Sequence, residues 1–207
     1  MKIDPVELAE ALSSRIAHEM VGPVGAISNG LELMHELGPE AGEDVAALID
    51  NSSKTAGARL QFYRLAYGRA GMATGSIAQF RSAATEFLAR NEAHTLTWPM
   101  PPVQPTLPDG AGRIALILIE IAQGALIRGG NIAIRLEEDG VFVTATGDDL
   151  TLGSEIRQAF DGGEAMEIGP SNVHAVLAAL FSDAISWRIS SAVESGNAIF
   201  SAQSSGS

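Results

Sequence analysis

Apolar residues recur in steps of three and four over one long stretch: Leu8, Leu12, Ile16, Met20, Val24, Ile27, Leu31 and Met34. That spacing marks one face of a continuous helix. Asp4 is placed to cap it, Pro5 suits its first position, and Glu7 completes a capping box. Gly38-Pro39 stops it. The helix spans about 33 residues, or roughly 50 Å. A second helical pattern carries Val45, Leu48, Ile49, Ser52, Ala56, Leu60, Tyr63 and Tyr67 on one face, before Gly68, Gly71 and Gly75 loosen the chain. A short turn between the two makes an antiparallel hairpin. Two helices cannot cover both apolar stripes by themselves. The simplest remedy is a second copy, giving a four-helix bundle across a twofold axis.

The pattern changes near residues 72–77. Ile77 to Asn91 reads as a helix, His94 to Trp98 as a strand, 99–108 as a Pro-rich loop, and Ala111 to Arg128 as a long apolar helix. Asn131–Leu136 and Val141–Thr146 alternate as a hairpin around Glu138-Asp139-Gly140. Helices are expected at Ser154–Phe160 and Ser171–Asp183. Ile185–Ser190 and Ala198–Gln203 form a closing hairpin around Glu194-Ser195-Gly196, and the tail Ser204–Ser207 is expected to fray. The class is α+β: a helical hairpin over residues 1–74 and an α/β sandwich over 75–207.

With 46% hydrophobic residues the chain can build a core. A net charge of −12 argues against nucleic acid and anionic membranes as partners. There is no cysteine, which removes thiolate chemistry and Cys-based zinc sites. The acidic N-terminus is not read as a signal peptide, and no apolar run reaches the ~18 residues of a membrane span. A cytoplasmic protein is expected.

The chemistry-bearing segment is Arg15-Ile-Ala-His18-Glu19-Met-Val-Gly22-Pro23. His18 lies two residues after the stripe residue Ile16, about 200° around the helix, so it points away from the hairpin core. An outward imidazole is a competent nucleophile near neutral pH. Glu19 is expected to hold one ring nitrogen. Arg15, three residues before His18, is expected to stabilise a phosphoryl group. Pro23 inside the helix lacks an N–H and clashes with the carbonyl of residue 19, costing roughly 3 kcal/mol. With Gly22 it is expected to bend the helix one turn from His18. A turn near residues 39–40 sets His18 opposite about residue 61 of the second helix, with Arg59 and Arg64 as nearby cations. A zinc reading fails because position 22 is Gly rather than a second His. His35, His94 and His174 are read as surface or structural.

The string His18 to Leu33, HEMVGPVGAISNGLEL, resembles the H-box of two-component histidine kinases: His, an acidic residue, and Pro five positions on. In its full length it is more similar to the ChpT-type histidine phosphotransferases of alphaproteobacterial phosphorelays. Leu60 to Gly68 and Ser171 to Leu177 carry the same resemblance. It implies a dimeric bundle bearing phospho-His18 and a C-terminal domain like a degenerate kinase ATP-binding (Bergerat) domain. The kinase Asn positions correspond to Glu120 and Gly124. Thr146-Gly-Asp-Asp149 lacks the glycines of the adenine loop, and Gly169 to His174 replaces the phosphate-binding loop. The implied activity is a reversible relay between receiver-domain aspartates, without ATP. The partners are receivers of an upstream hybrid kinase and of downstream regulators. No cofactor is expected on this chain; Mg²⁺ belongs to the receiver. Val21, Ser28 and Asn29 are expected to contact the receiver. Gly22 stands where bifunctional kinases carry Thr or Asn, so weak phosphatase activity is expected. An ATP-dependent histidine kinase and a non-catalytic dimeric adaptor are the alternative readings.

Overall fold

The structure, a computed structural model, describes residues 3–38, 42–71, 76–89, 93–100, 102–162 and 166–204. Helix α1 spans Pro5–Leu37 and α2 spans Gly42–Ala66, followed by a 3-10 turn at Arg69–Gly71. Asp4 caps α1, its Oδ1 accepting from the Val6 N–H at 2.8 Å. The Glu7 half of the expected capping box does not form. Its carboxylate accepts instead from the backbone N–H of Ile168, at 3.2 Å, because the chain before the last helix is packed against it. Gly38 ends α1 at φ 55°, its N–H returning to the Met34 carbonyl. Pro39, Gly75 and Asn91, the turn near 39–40 and the tail beyond Ser204 lie outside the described residues.

The helices pair antiparallel. Glu19 meets Arg59 and the Gly30 backbone lies against Ile49, where a Cβ would come within 2.5 Å of the isoleucine Cγ1. This register agrees with a turn near residues 39–40.

The remaining elements are α3 (Ile77–Leu88), β1 (His94–Thr97), α4 (Ala111–Ala125), β2 (Gly130–Glu137), β3 (Gly140–Thr146), α5 (Ser154–Asp161), α6 (Val173–Ala184), β4 (Trp187–Glu194) and β5 (Asn197–Ser204). The strands form one sheet in the order β1-β2-β3-β5-β4, with only the β1–β2 pair parallel. Alternation places Ile132, Ile134, Val141, Val143, Ala198, Phe200 and Ala202 on the face that meets α4 and α6. The β4–β5 turn has Ser195 and Gly196 both at positive φ, as a two-residue hairpin turn requires. The first strand of this hairpin begins at Trp187, two residues later than expected. α6 runs on to Ala184, and Ile185 and Ser186 belong to its C-terminal turn. Likewise α4 ends at Ala125, three residues early, where Leu126 pairs with Leu150.

α4 is buried almost all round, as its apolar sequence dictates. It lies between the sheet, α6 and the hairpin. Leu8, Leu12 and Ile16 of α1 pack against the same apolar cluster, and Phe62, Tyr63, Leu65 and Ala66 of α2 belong to it. The core therefore runs across the boundary expected near 72–77. Leu60, expected on the buried face of α2, is 59% exposed, whereas Phe62 and Leu65 are buried. The C-terminal half of α2 turns its apolar face toward α3 and α4 as well as α1.

His174, in the first turn of α6, is buried and its Nδ1 has no partner among the described residues. Burial, and then the charge of Arg15, push its pKa well below the usual imidazole value. The folded state keeps this ring neutral, whereas the unfolded chain protonates it near pH 6.5. Its contribution is therefore intact above about pH 6.5 and is lost as pH falls below that. Urea unfolding at pH 7 and at about pH 5.5 checks this. His174→Leu is expected to lack about 1 kcal/mol of the native protein's acid-side loss of stability.

Candidate functional site

Pro23 leaves the Glu19 carbonyl without its helical donor, because a prolyl nitrogen four residues on has no N–H. Arg59 of α2 takes that place. Its Nη1 donates to the Glu19 carbonyl oxygen and lies 3.2 Å from Glu19 Oε2. α1 continues as helix through Gly22 and Pro23. One arginine thus ties the two helices together beside His18, at the turn the proline perturbs. Glu19 is engaged by this arginine, and the expected contact with the imidazole is not formed.

His18 itself is exposed on the outer face of α1 and makes no hydrogen bond or ion pair among the described residues. Val21, Ser28 and Asn29 are exposed on the same side of the helix, one to three turns further on. His18 and these three residues form one continuous strip, with Gly22 and Gly25 adding no bulk.

Of the three arginines expected near a phosphoryl group, only Arg59 makes a contact at the His18 turn. Arg64 is exposed and donates to Gln61 Oε1 on its own helix, at 2.9 and 3.2 Å. Arg15 points inward. Its Nε and Nη2 both donate to Glu120 Oε1, at 2.9 and 2.8 Å, and its Nη1 donates to the Pro170 carbonyl at 2.8 Å. Tyr67 completes the group by donating its hydroxyl to Glu120 Oε2. Burial is the largest influence on the Arg15 pKa and works to lower it, but the charge and hydrogen bonds of Glu120, together with Tyr67 and Tyr63, outweigh it and the net shift is upward. Burial and the same carboxylate raise Tyr67 well above a free phenol, so it remains a proton donor.

Glu120 is 4% exposed on α4. A charge buried in a helix this apolar must be paired, because its desolvation is otherwise prohibitive. The other buried charge of that helix, Arg113, obeys the same rule. Its Nε and Nη2 donate to the carbonyls of Ala66 and Tyr67, at 3.2 and 3.0 Å, and its guanidinium stacks 3.5 Å over the Phe181 ring. Arg113 and Glu120 are about two turns apart, so both face the hairpin. Charges within an apolar run are a signal the sequence already holds, yet sequence reasoning missed the roles of Arg113, Tyr67 and Glu120 in joining the two segments.

Two openings adjoin the site. A cleft of about 380 Å³ lies between the hairpin and the C-terminal half, with Glu19, Arg59, Tyr63, His94 and Ile127 in its walls. A smaller cavity of about 200 Å³ is walled by Arg15, Glu120, Gly124, Thr151, Glu155 and His174. Backbone ties close its neighbourhood: Thr151 N–H to the Ala125 carbonyl and Ile127 N–H to the Asp149 carbonyl, at 2.9 and 3.2 Å. The Gly169–Asn172 turn is held by Asn172, which accepts from Gly169 N–H and donates to the Glu167 carbonyl.

Comparison with known proteins agrees with this geometry. The sequence model of the histidine phosphotransferase C-terminal domain matches residues 77–197. The chain is 38% identical over 180 residues to the protein phosphotransferase ChpT of Brucella abortus (strain 2308), covering 84% of this chain and 83% of that protein. A solved bacterial phosphotransferase superposes with a TM-score of 0.82 at 30% identity, covering 98% of each chain. A free histidine on a helical hairpin, the matched C-terminal half and a fold shared over the whole length lead to one conclusion: this chain belongs to the ChpT-type histidine phosphotransferase family, whose members act in phosphorelays.

Proposed function

We propose that His18 is the residue through which the phosphoryl group passes. The observation that carries this reading is an exposed imidazole with no hydrogen-bond or ion-pair partner among the described residues, on a strip of exposed residues that a second protein can approach. An imidazole nitrogen attacks the phosphorus of a receiver's aspartyl phosphate. The new N–P bond forms as the acyl phosphate O–P bond breaks and the aspartate carboxylate leaves. The reverse step delivers the group to a second receiver. Positioning and charge neutralisation dominate such transfers. Arg59 is the cation placed to act beside His18, and Glu19 orients that cation. Arg64 is a second candidate, on the exposed side of α2. The Mg²⁺ is assigned to the receiver, where it would neutralise the charge of the aspartyl phosphate during transfer. Val21, Ser28 and Asn29 form the receiver's landing strip on α1. No helix among the described residues is long and apolar enough to cross a membrane, and a cytoplasmic setting fits soluble receivers as partners.

ATP use is not favoured. Glu120 is occupied by Arg15 and Tyr67, and Gly124 offers no side chain that could hold a nucleotide or its metal. A second copy is proposed to cover the hairpin. In one chain the α1 stripe is covered by the C-terminal half at Leu8, Leu12 and Ile16, but Val24, Leu31 and Met34 remain 43–54% exposed, together with Leu48 of α2.

Three measurements check these readings. Incubation with a phosphorylated receiver is expected to label the native chain, and His18→Ala is expected to take no label; equal loss of receiver label with both proteins defeats the relay. Calorimetric titration with Mg-ATP is expected to give no binding at micromolar concentrations. Sedimentation is expected to show a dimer, and Leu31→Glu is expected to shift it to monomer by placing a charge in an apolar seam.

A further inference from the structure

The contacts around Glu120 bring three parts of the chain to one point. Arg15 comes from α1, one turn before His18. Tyr67 follows α2. Glu120 and Pro170 belong to the C-terminal half. Both oxygens of the buried carboxylate and all three nitrogens of the guanidinium are used. Arg15 is therefore committed away from the surface on which His18 stands. Resting on the reading of His18 as the phosphoryl carrier, we infer that Arg15, Glu120 and Tyr67 are positioning residues for the relay, fixing the orientation of α1 and the C-terminal half in which a receiver meets His18.

The argument is geometric. Arg15 and Glu19 stand on adjacent turns of one helix face, and His18 lies about 60° around the helix from Arg15. Arg15 is fastened to α4 and to the loop before α6, while Glu19 is fastened to α2 through Arg59. Two anchors on successive turns restrain α1 from rolling, and His18 makes no hydrogen bond or ion pair of its own among the described residues that would aim it. Helix rotation is the coordinate that decides where an outward side chain points. A buried ion pair is seldom the most stable filling for such a place, since apolar residues of equal volume often serve stability as well or better. Its directional bonds instead select one orientation among several packings of similar energy. Arg113, gripping the Ala66 and Tyr67 carbonyls two turns away on α4, holds the end of α2 in the same frame.

Two phosphoryl donors separate positioning from chemistry. Phosphoramidate is small and needs no docking: its P–N bond breaks as the imidazole N–P bond forms, and ammonia leaves. A phosphorylated receiver must dock. Arg15→Gln and Glu120→Gln are each expected to slow transfer from the receiver by about tenfold or more, while His18 labelling by phosphoramidate stays within about twofold. The double variant is expected to be no slower than either single, because both break one device. Tyr67→Phe leaves the ion pair in place and is expected to slow receiver transfer several-fold, which keeps the test open if Glu120→Gln does not fold by circular dichroism. The inference is overturned if Arg15→Gln slows transfer and Glu120→Gln does not, which would return Arg15 to the phosphoryl group. It is also overturned if the two losses multiply, if phosphoramidate labelling falls in step with receiver transfer, or if Tyr67→Phe transfers at the native rate. Failure of phosphoramidate to label His18 in the native chain would instead defeat the His18 reading, and this inference with it.

Discussion

A carboxylate removed from water has to be answered by donors, and the position of Glu120 decides where those donors come from. It sits on the most buried of the described helices, within a run of Ile, Leu and Ala from Ile114 to Ala122. Placing it there without partners would cost several kcal/mol. The answer comes from α1, from the end of α2 and, through Arg15, from the loop before α6. The requirement that one charge be satisfied thus brings four segments to one point. Arg113 repeats the logic with opposite sign, its guanidinium reaching the free carbonyls at the end of α2, where a helix has no donors of its own. The hairpin is joined to the C-terminal half by polar contacts set in an apolar surface, and the apolar surface gives those contacts their strength.

Pro23 belongs to the same economy of donors and acceptors. A proline inside a helix orphans the carbonyl four residues earlier, and here that carbonyl is the one next to His18. Arg59 reaches it from α2 and meets the Glu19 carboxylate as well. The residue that breaks the ladder therefore creates a crosslink between the two helices beside the exposed imidazole. This gives Pro23 a physical role of its own: it exchanges an intrahelical bond for an interhelical one.

The long helices, the sheet hairpins and the exposure of His18 were legible because each follows from a local periodicity. The 3.6-residue stripe fixes which side of α1 faces inward, and His18 falls outside it. Arg15 shows where local reading stops. Three residues from His18, it is placed on the histidine's face by helical geometry alone, yet its guanidinium turns to a carboxylate over a hundred positions away in the chain. Glu19 likewise answers to Arg59 rather than to its neighbour. Glu7 fits a capping box by spacing and is drawn off by Ile168. In each case a charged side chain has a nearby partner in sequence and a better one in space, and only the tertiary packing ranks them.

The α1 stripe carries the last step. Its apolar residues keep one spacing from Leu8 to Met34, but what covers them changes along the helix. The first half is covered by the C-terminal half of the same chain, and the second half emerges from it with Val24, Leu31 and Met34 open. His18 stands near the changeover. On one side of it α1 is immobilised by the clamp on Glu120. On the other, the exposed strip through Val21, Ser28 and Asn29 runs beside an apolar seam that a second copy would close. As the proposed phosphoryl carrier, His18 would need both properties at the same point: a rigid frame to define the direction of attack, and open surface for a receiver to occupy. A single helix supplies both because its partners change one turn from the histidine.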